Sequence, residues 1–216
     1  MIEKNMDKNQ IKKLIEHSKY VFIGDIHGTK EIPEKIFEII RSILKKKKII
    51  FCLELPQQAE KELYAYLNKK MSEKEFLQSK YLEDALFDHR IDKDRLSLYK
   101  KLYENNVILR CLENYDLENI NERDKVMAMN FMEVIQEHAE QYFVYVGGMH
   151  IIDEEIEIMG MKVKPLKIYL PKNISEDTLI IQFENSEKEE IDFTKENNTL
   201  HYKLILKEIK ANSIKM

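Results

Sequence analysis

Long hydrophobic runs are missing from this sequence. No stretch approaches the length of a membrane span, and Met1-Ile-Glu-Lys-Asn-Met-Asp-Lys8 lacks the apolar segment of a signal peptide. The expectation is a soluble, cytoplasmic protein with no membrane partner. Cysteine is scarce as well. Cys52 and Cys111 are the only two, and both sit inside apolar strand-like runs. They read as buried thiols acting as small hydrophobes, not as a disulfide or a metal pair. Clustered positive charge is also lacking: 35 Lys and Arg stand against 39 Asp and Glu, for a net charge of -4. Nucleic acid and anionic lipid both need a concentrated basic face, so neither is an expected partner. The single basic run, Lys45 to Lys48, reads as a complement to the dipole of the helix it ends. No Gly-x-Ser-x-Gly elbow occurs and neither cysteine follows a catalytic pattern, which argues against a covalent nucleophile.

What is present is a chain of 216 residues, 44% hydrophobic and 34% charged, which is globular in character and long enough for a real core. No internal repeat or low-complexity linker interrupts it, so one domain over residues 1–216 is expected. Asn9 to Ser18 forms a short amphipathic pattern, and Lys19 to Gly24 a first strand. A helix follows over Ile32 to Lys46, with Pro33 in its first turn, where proline is tolerated. Lys48 to Leu55 is apolar on both faces and reads as a strand covered on both sides. Helical patterns recur at Gln57 to Leu67, Asp92 to Glu104 and Asn119 to His138, with strands at Val107 to Glu113 and Tyr142 to Gly148. Between Met71 and Asp92 the periodicity weakens, and that stretch reads as a helical insertion over the sheet edge. The alternation predicts an α/β fold, a mostly parallel sheet flanked by helices on both faces, with its core in residues 19–152. Beyond residue 163, Leu166 to Leu170, Thr178 to Phe183 and Leu200 to Leu206 are strand-like with no helix between them. They predict antiparallel strands extending the sheet, out to about residue 207.

Each buried strand delivers polar residues at its carboxyl end, where ligands gather in open α/β sheets. Strand one runs Tyr20-Val-Phe-Ile-Gly-Asp-Ile-His-Gly-Thr-Lys-Glu31 and presents Asp25 and His27, expected on the same side by the period of two. Strand two gives Glu54, a carboxylate inside an otherwise apolar run that must be paired, hydrogen-bonded or metal-bound. Strand three gives Glu113 and then Asp116, and strand four runs into Gly147-Gly-Met-His150. On the long helix Arg123 shares a face with Met127, Asn130 and Val134, and a buried guanidinium there seeks Glu54 or Asp25. Arg90 approaches from the insertion. His89 reads as surface or packing, and His17, His138 and His201 as helix surface, helix terminus and strand surface.

Two resemblances follow from these motifs. Gly24-Asp-Ile-His-Gly28 is similar to the first motif of calcineurin-like metallophosphoesterases, whose dinuclear centre needs further ligand segments. No Gly-Asn-His occurs here, and Gly147-Gly-Met-His150 lacks the first histidine of the closing motif. The chain more closely resembles the erythromycin esterase and ChaN-like superfamily, with its TIKI- and TraB-related members, over about residues 19 to 152. Gly24-Asp-Ile-His-Gly-Thr-Lys-Glu31 is similar to the opening motif, with Asp25 for the usual Glu. A strand ending in Glu54, the Asp88-His-Arg90 turn and Gly147-Gly-Met-His150 follow in the family's order. Arg123-Asp-Lys-Val-Met-Ala-Met-Asn130 matches its helix motif at every fixed position.

The resemblance implies His27 as activating base, with Asp25, Glu54 and His150 completing the polar centre; Arg123 is expected to stabilise developing negative charge in the same catalytic set, and Glu31, Arg90, Asp116 and Asp124 are expected to bind substrate. It implies hydrolysis of an ester- or amide-like bond in a small molecule or peptide. A divalent metal on His27, His150 and Glu54 is a variant of the same site. Haem or small-ligand binding without turnover, as in ChaN-like proteins, is the alternative from a different class.

Overall fold

The apolar runs that read as strands up to residue 148 pair into one sheet, and its order puts the site-bearing strand ends side by side. The computed structural model describes residues 8–44, 46–115, 119–158, 160–186, 190–196 and 199–207, with backbone alone for the last strands. Its elements are α1 (Lys8–His17), β1 (Tyr20–Asp25), α2 (Glu31–Ile40), β2 (Ile49–Pro56), α3 (Glu60–Leu67), α4 (Glu73–Leu77), α5 (Glu83–Phe87), α6 (Lys93–Glu104) and β3 (Ile108–Glu113). There follow α7 (Ile120–Val134), β4 (Gln141–Gly147), β5 (Ile156–Ile158), β6 (Met161–Val163), α8 (Lys172–Glu176), β7 (Thr178–Ser186), β8 (Glu190–Glu196) and β9 (Thr199–Lys207).

The main sheet runs β3-β2-β4-β1-β7-β9-β8, parallel throughout except for β8 against β9, and β5 and β6 form a separate antiparallel pair. This is the α/β architecture the alternating pattern predicts. Side chains alternate between two apolar layers. Val21, Ile23, Phe51, Leu53 and Phe143 pack with α2, α3 and α6 on one face, while Phe22, Ile50, Cys52, Tyr142 and Val144 pack with α7 on the other. Cys111 belongs to the first layer and Cys52 to the second, so the sheet separates the two thiols.

The outer edge of β3 is occupied by side chains of α3. The Tyr64 hydroxyl donates to the Leu109 carbonyl and accepts from its N–H, both at 3.0 Å, and Glu60 accepts from the Cys111 N–H at 2.9 Å. A strand edge left bare recruits other chains, and these contacts cover this one.

Several local readings need correction. Leu166 to Leu170 is not a strand: Leu166–Tyr169 is a 3-10 turn set between Pro165 and Pro171, with Leu166 and Lys167 buried. Proline lacks the N–H that a ladder requires, and two of them bracket this segment. Lys46 and Lys47 do not cap α2, which ends at Ile40. They reach Glu16 in the last turn of α1, while the Lys48 ammonium donates to the Glu137 carbonyl at 2.8 Å. Lys45 lies outside the described residues. No helix of the described residues is long and apolar enough to cross a membrane.

Candidate functional site

At the carboxyl ends of β1, β2 and β4 lies a cleft of about 320 Å³ lined by Asp25, His27, Glu54, Asp88, Arg123 and His150, with Gly147, Gly148, Met149 and Ile120. Its centre is the Glu54 carboxylate. Pairing of β2 with β4 stops at Leu53, and its register with β3 shifts between Leu53 and Pro56, so Glu54 emerges where the neighbouring strands part. One oxygen, Oε1, accepts from the Arg123 guanidinium and lies 3.3 Å from His150 Nε2. The other, Oε2, accepts from the Gly147 N–H at 2.5 Å and lies 3.6 Å from His27 Nε2. Two imidazoles from separate strand ends thus flank one carboxylate. Gly147 makes room for them: a Cβ there would sit 3.2 Å from His27 Nε2 and 3.4 Å from His150 Cδ2.

The two histidines differ in environment. His150 is 5% exposed, and its Nδ1 lies 2.5 Å from Asp124 Oδ1, which also accepts from the Leu166 N–H at 3.1 Å. Burial alone would lower its pKa. The charges and hydrogen bonds of Glu54 and Asp124 outweigh burial and raise it to about 10, which favours the imidazolium at neutral pH. Glu54 is the reciprocal case. Burial pushes its carboxyl up, but the charge and close approach of His150, the nearby His27 ring and the Arg123 guanidinium hold it well below the ordinary carboxylate range. His27 has a side chain 25% exposed and opens to the cleft.

A chain of ion pairs backs this centre. Arg123 bridges Glu54 and Glu113, and Glu113 also pairs with Arg90, whose Nε donates to Asp88 at 2.7 Å. Burial raises the Glu113 carboxyl, an effect only partly offset by the two guanidinium groups. Of the two partners expected for Arg123, Glu54 is the one it meets. Asp25 goes elsewhere. The extended chain ends at Asp25, and His27 stands in the following turn, so the period of two does not reach it. Asp25 faces α6 and accepts from Arg95, while His27 leans toward Gly147 and Glu54. Burial raises the Asp25 carboxyl against the opposing charge of Arg95.

Arg95 is the residue the sequence reading missed. It is fully buried, and the signal that could have found it is helical spacing: Arg95 stands three, four and seven residues before Leu98, Tyr99 and Leu102, on the buried stripe of α6. Other expected site residues lie around the cleft without lining it. Asp124 stands behind His150, Arg90 behind Asp88, and Glu31 opens α2. Asp116 and the His201 side chain lie outside the described residues. His89, at φ +61°, packs against Gly28, which has φ +77° and would carry a Cβ 3.5 Å from it. His17 bonds the Lys13 carbonyl, and His138 ends its helix in the left-handed region.

The expected metal set of His27, His150 and Glu54 meets at the cleft with both Glu54 oxygens accepting N–H groups. Among the described residues no three His, Cys, Asp or Glu side chains are placed to hold an ion. Burial raises both thiols far above their ordinary range, which removes them as nucleophiles.

No family model and no curated protein matches the sequence. Solved structures do match in fold. The type III effector HopBA1 superposes with a TM-score of 0.65 at 13% identity, covering 93% of each chain. A mutant of the erythromycin esterase EreC in its open conformation gives 0.64 at 12% identity, over 90% of this chain and 79% of EreC. The C-terminal region of Pasteurella multocida toxin, described as having a thiol-protease-like catalytic triad, gives 0.59 at 14% identity, over 91% of this chain but 27% of the toxin chain. The protein shares its fold with these three. The likeness to EreC is a distant relationship of fold, and sequence comparison assigns no family.

Proposed function

We propose that this protein is a hydrolase related to the erythromycin esterase and ChaN-like superfamily, cleaving an ester- or amide-like bond in a small molecule or peptide with an activated water. The observation that carries this reading is the asymmetry of the two imidazoles about Glu54: one opens to the cleft, the other is buried and held by Asp124. A water about 2.8 Å from both His27 Nε2 and Glu54 Oε2 fits between atoms 3.6 Å apart as the apex of a triangle. His27 takes its proton as the oxygen attacks the substrate carbonyl. Glu54, fixed by Arg123 and Gly147, orients the water and the imidazole. Arg123 and the His150 imidazolium supply positive charge toward the anion that develops. The fold shared with EreC and the Arg123 to Asn130 motif support the same reaction class.

The test is hydrolysis of a panel of p-nitrophenyl esters and peptide anilides by the wild type and His27→Ala. Loss of a general base lowers the rate by about 100-fold or more. Equal rates in the two proteins overturn the reading.

A further inference from the structure

We propose that Arg95 is a positioning residue for His27, pinning the turn that carries it from the opposite layer of the molecule. The proposal rests on the hydrolase reading only where it speaks of rate; the pinning itself is a matter of geometry.

A guanidinium has five N–H donors in a rigid fork. In Arg95 all five have a place. Nε and Nη2 donate to Asp25 Oδ2 at 2.9 and 2.5 Å, and Nη2 also donates to the Ile26 carbonyl at 3.3 Å. Nη1 donates to Asp92 Oδ2 at 2.7 Å and to the Thr29 carbonyl at 3.4 Å. Ile26 and Thr29 stand on either side of His27 and Gly28, so the fork grips the turn before and after the imidazole. Thr29 adds a bond from its hydroxyl to the Ile26 carbonyl at 2.8 Å, closing the loop on itself.

The other end of the grip is equally fixed. Asp92 caps α6, accepting from the Asp94 and Arg95 N–H groups at 3.0 and 2.8 Å, so the carboxylate that orients the guanidinium also starts its helix. Arg95 has no exposed surface and, of the cleft lining, hydrogen-bonds to Asp25, so it acts through the turn rather than on substrate. A mere counter-charge for the buried Asp25 could be a lysine. An ammonium has three donors on a flexible stem and cannot hold Asp25, Asp92 and two carbonyls together.

That difference supplies the test. Arg95→Lys retains the charge and loses the fork. The expected result is a folded protein whose kcat on a p-nitrophenyl ester falls by about 10- to 100-fold with KM little changed, since displacement of a reacting group by about 1 Å costs on that order. Its His27 ring resonances should shift or broaden in the NMR spectrum while those of His150 hold. A lysine variant with wild-type kcat and an unchanged His27 spectrum overturns the proposal and leaves Arg95 as a counter-charge. If no ester is hydrolysed even by the wild type, the hydrolase reading fails on its own and the His27 spectrum still decides the pinning. Should Arg95→Lys fail to fold, 15N relaxation on the wild type decides it: residues 26–29 must be as rigid as β1, and a turn mobile on the nanosecond scale overturns it.

Discussion

Raising the pH should dissolve the centre of this site before it dissolves the rest of the molecule. His150 moves from the ordinary 6.5 to about 10 because Glu54 and Asp124 flank it. That difference corresponds to roughly 5 kcal/mol of preference for the protonated ring in the folded state. It is an upper bound on the stabilisation, because the lowered Glu54 carboxyl draws on the same contact. The folded value lies above the unfolded one, so the contribution is complete below about pH 6.5 and is lost as pH rises toward about 10. Between those limits unfolding free energy should fall by up to about 1.4 kcal/mol per pH unit from this group alone. Against a total of about 5–15 kcal/mol for a domain, such a loss is readily measured. Urea denaturation of the wild type and His150→Gln at pH 6.5, 8 and 9.5 provides the assay. Lysines, tyrosines and thiols titrate in both proteins, so the difference between the two curves isolates the imidazole. The variant should be the less stable at pH 6.5 and the gap should narrow with pH. A constant gap, or a His150 ring titrating near 6.5 by NMR, refutes the reasoning.

Two further perturbations address neighbouring features. Gly147→Ala inserts a methyl 3.2 Å from His27 Nε2 and 3.4 Å from His150 Cδ2, so the freer His27 must yield by a few tenths of an ångström. Backbone angles of φ -54° and ψ 144° at Gly147 suit alanine, so thermal denaturation should report a loss of about 1 kcal/mol while ester turnover falls by roughly 10-fold. Tyr64→Phe removes the hydroxyl that bonds both backbone groups of Leu109 on the sheet edge. It should cost about 1–2 kcal/mol in urea and raise light scattering on heating, as the uncovered edge becomes available to other chains.

The order of elements was legible because burial on both faces writes itself into composition: Ile49 to Leu55 is apolar at every position except Glu54. The same contrast made Glu54 conspicuous, and glycines before His150 and after His27 marked the ends of β4 and β1. Long-range pairing was not legible. Arg95 meets a carboxylate 70 residues away, and although its spacing from Leu98, Tyr99 and Leu102 places it on the buried face of α6, nothing on that helix names the partner. Likewise β8, Glu190-Ile-Asp-Phe-Thr-Lys-Glu196, is half charged and pairs only with β9 at the sheet margin, so it lacks the apolar density that identifies an interior strand. The antiparallel contact falls between β8 and β9, whereas β7 lies parallel to β1 and β9 parallel to β7. Strand direction depends on the crossover, which local pattern does not encode.

The position of β7 has a consequence for how the molecule comes into being. β1 leaves the ribosome well before one of its two flanking partners, β7, which is made only after some 150 further residues. Until Thr178–Ser186 emerges, a strand with every residue destined for burial presents bare peptide groups along one margin. The segment that leads into His27 thus waits, during vectorial synthesis, for a neighbour translated some 150 residues later.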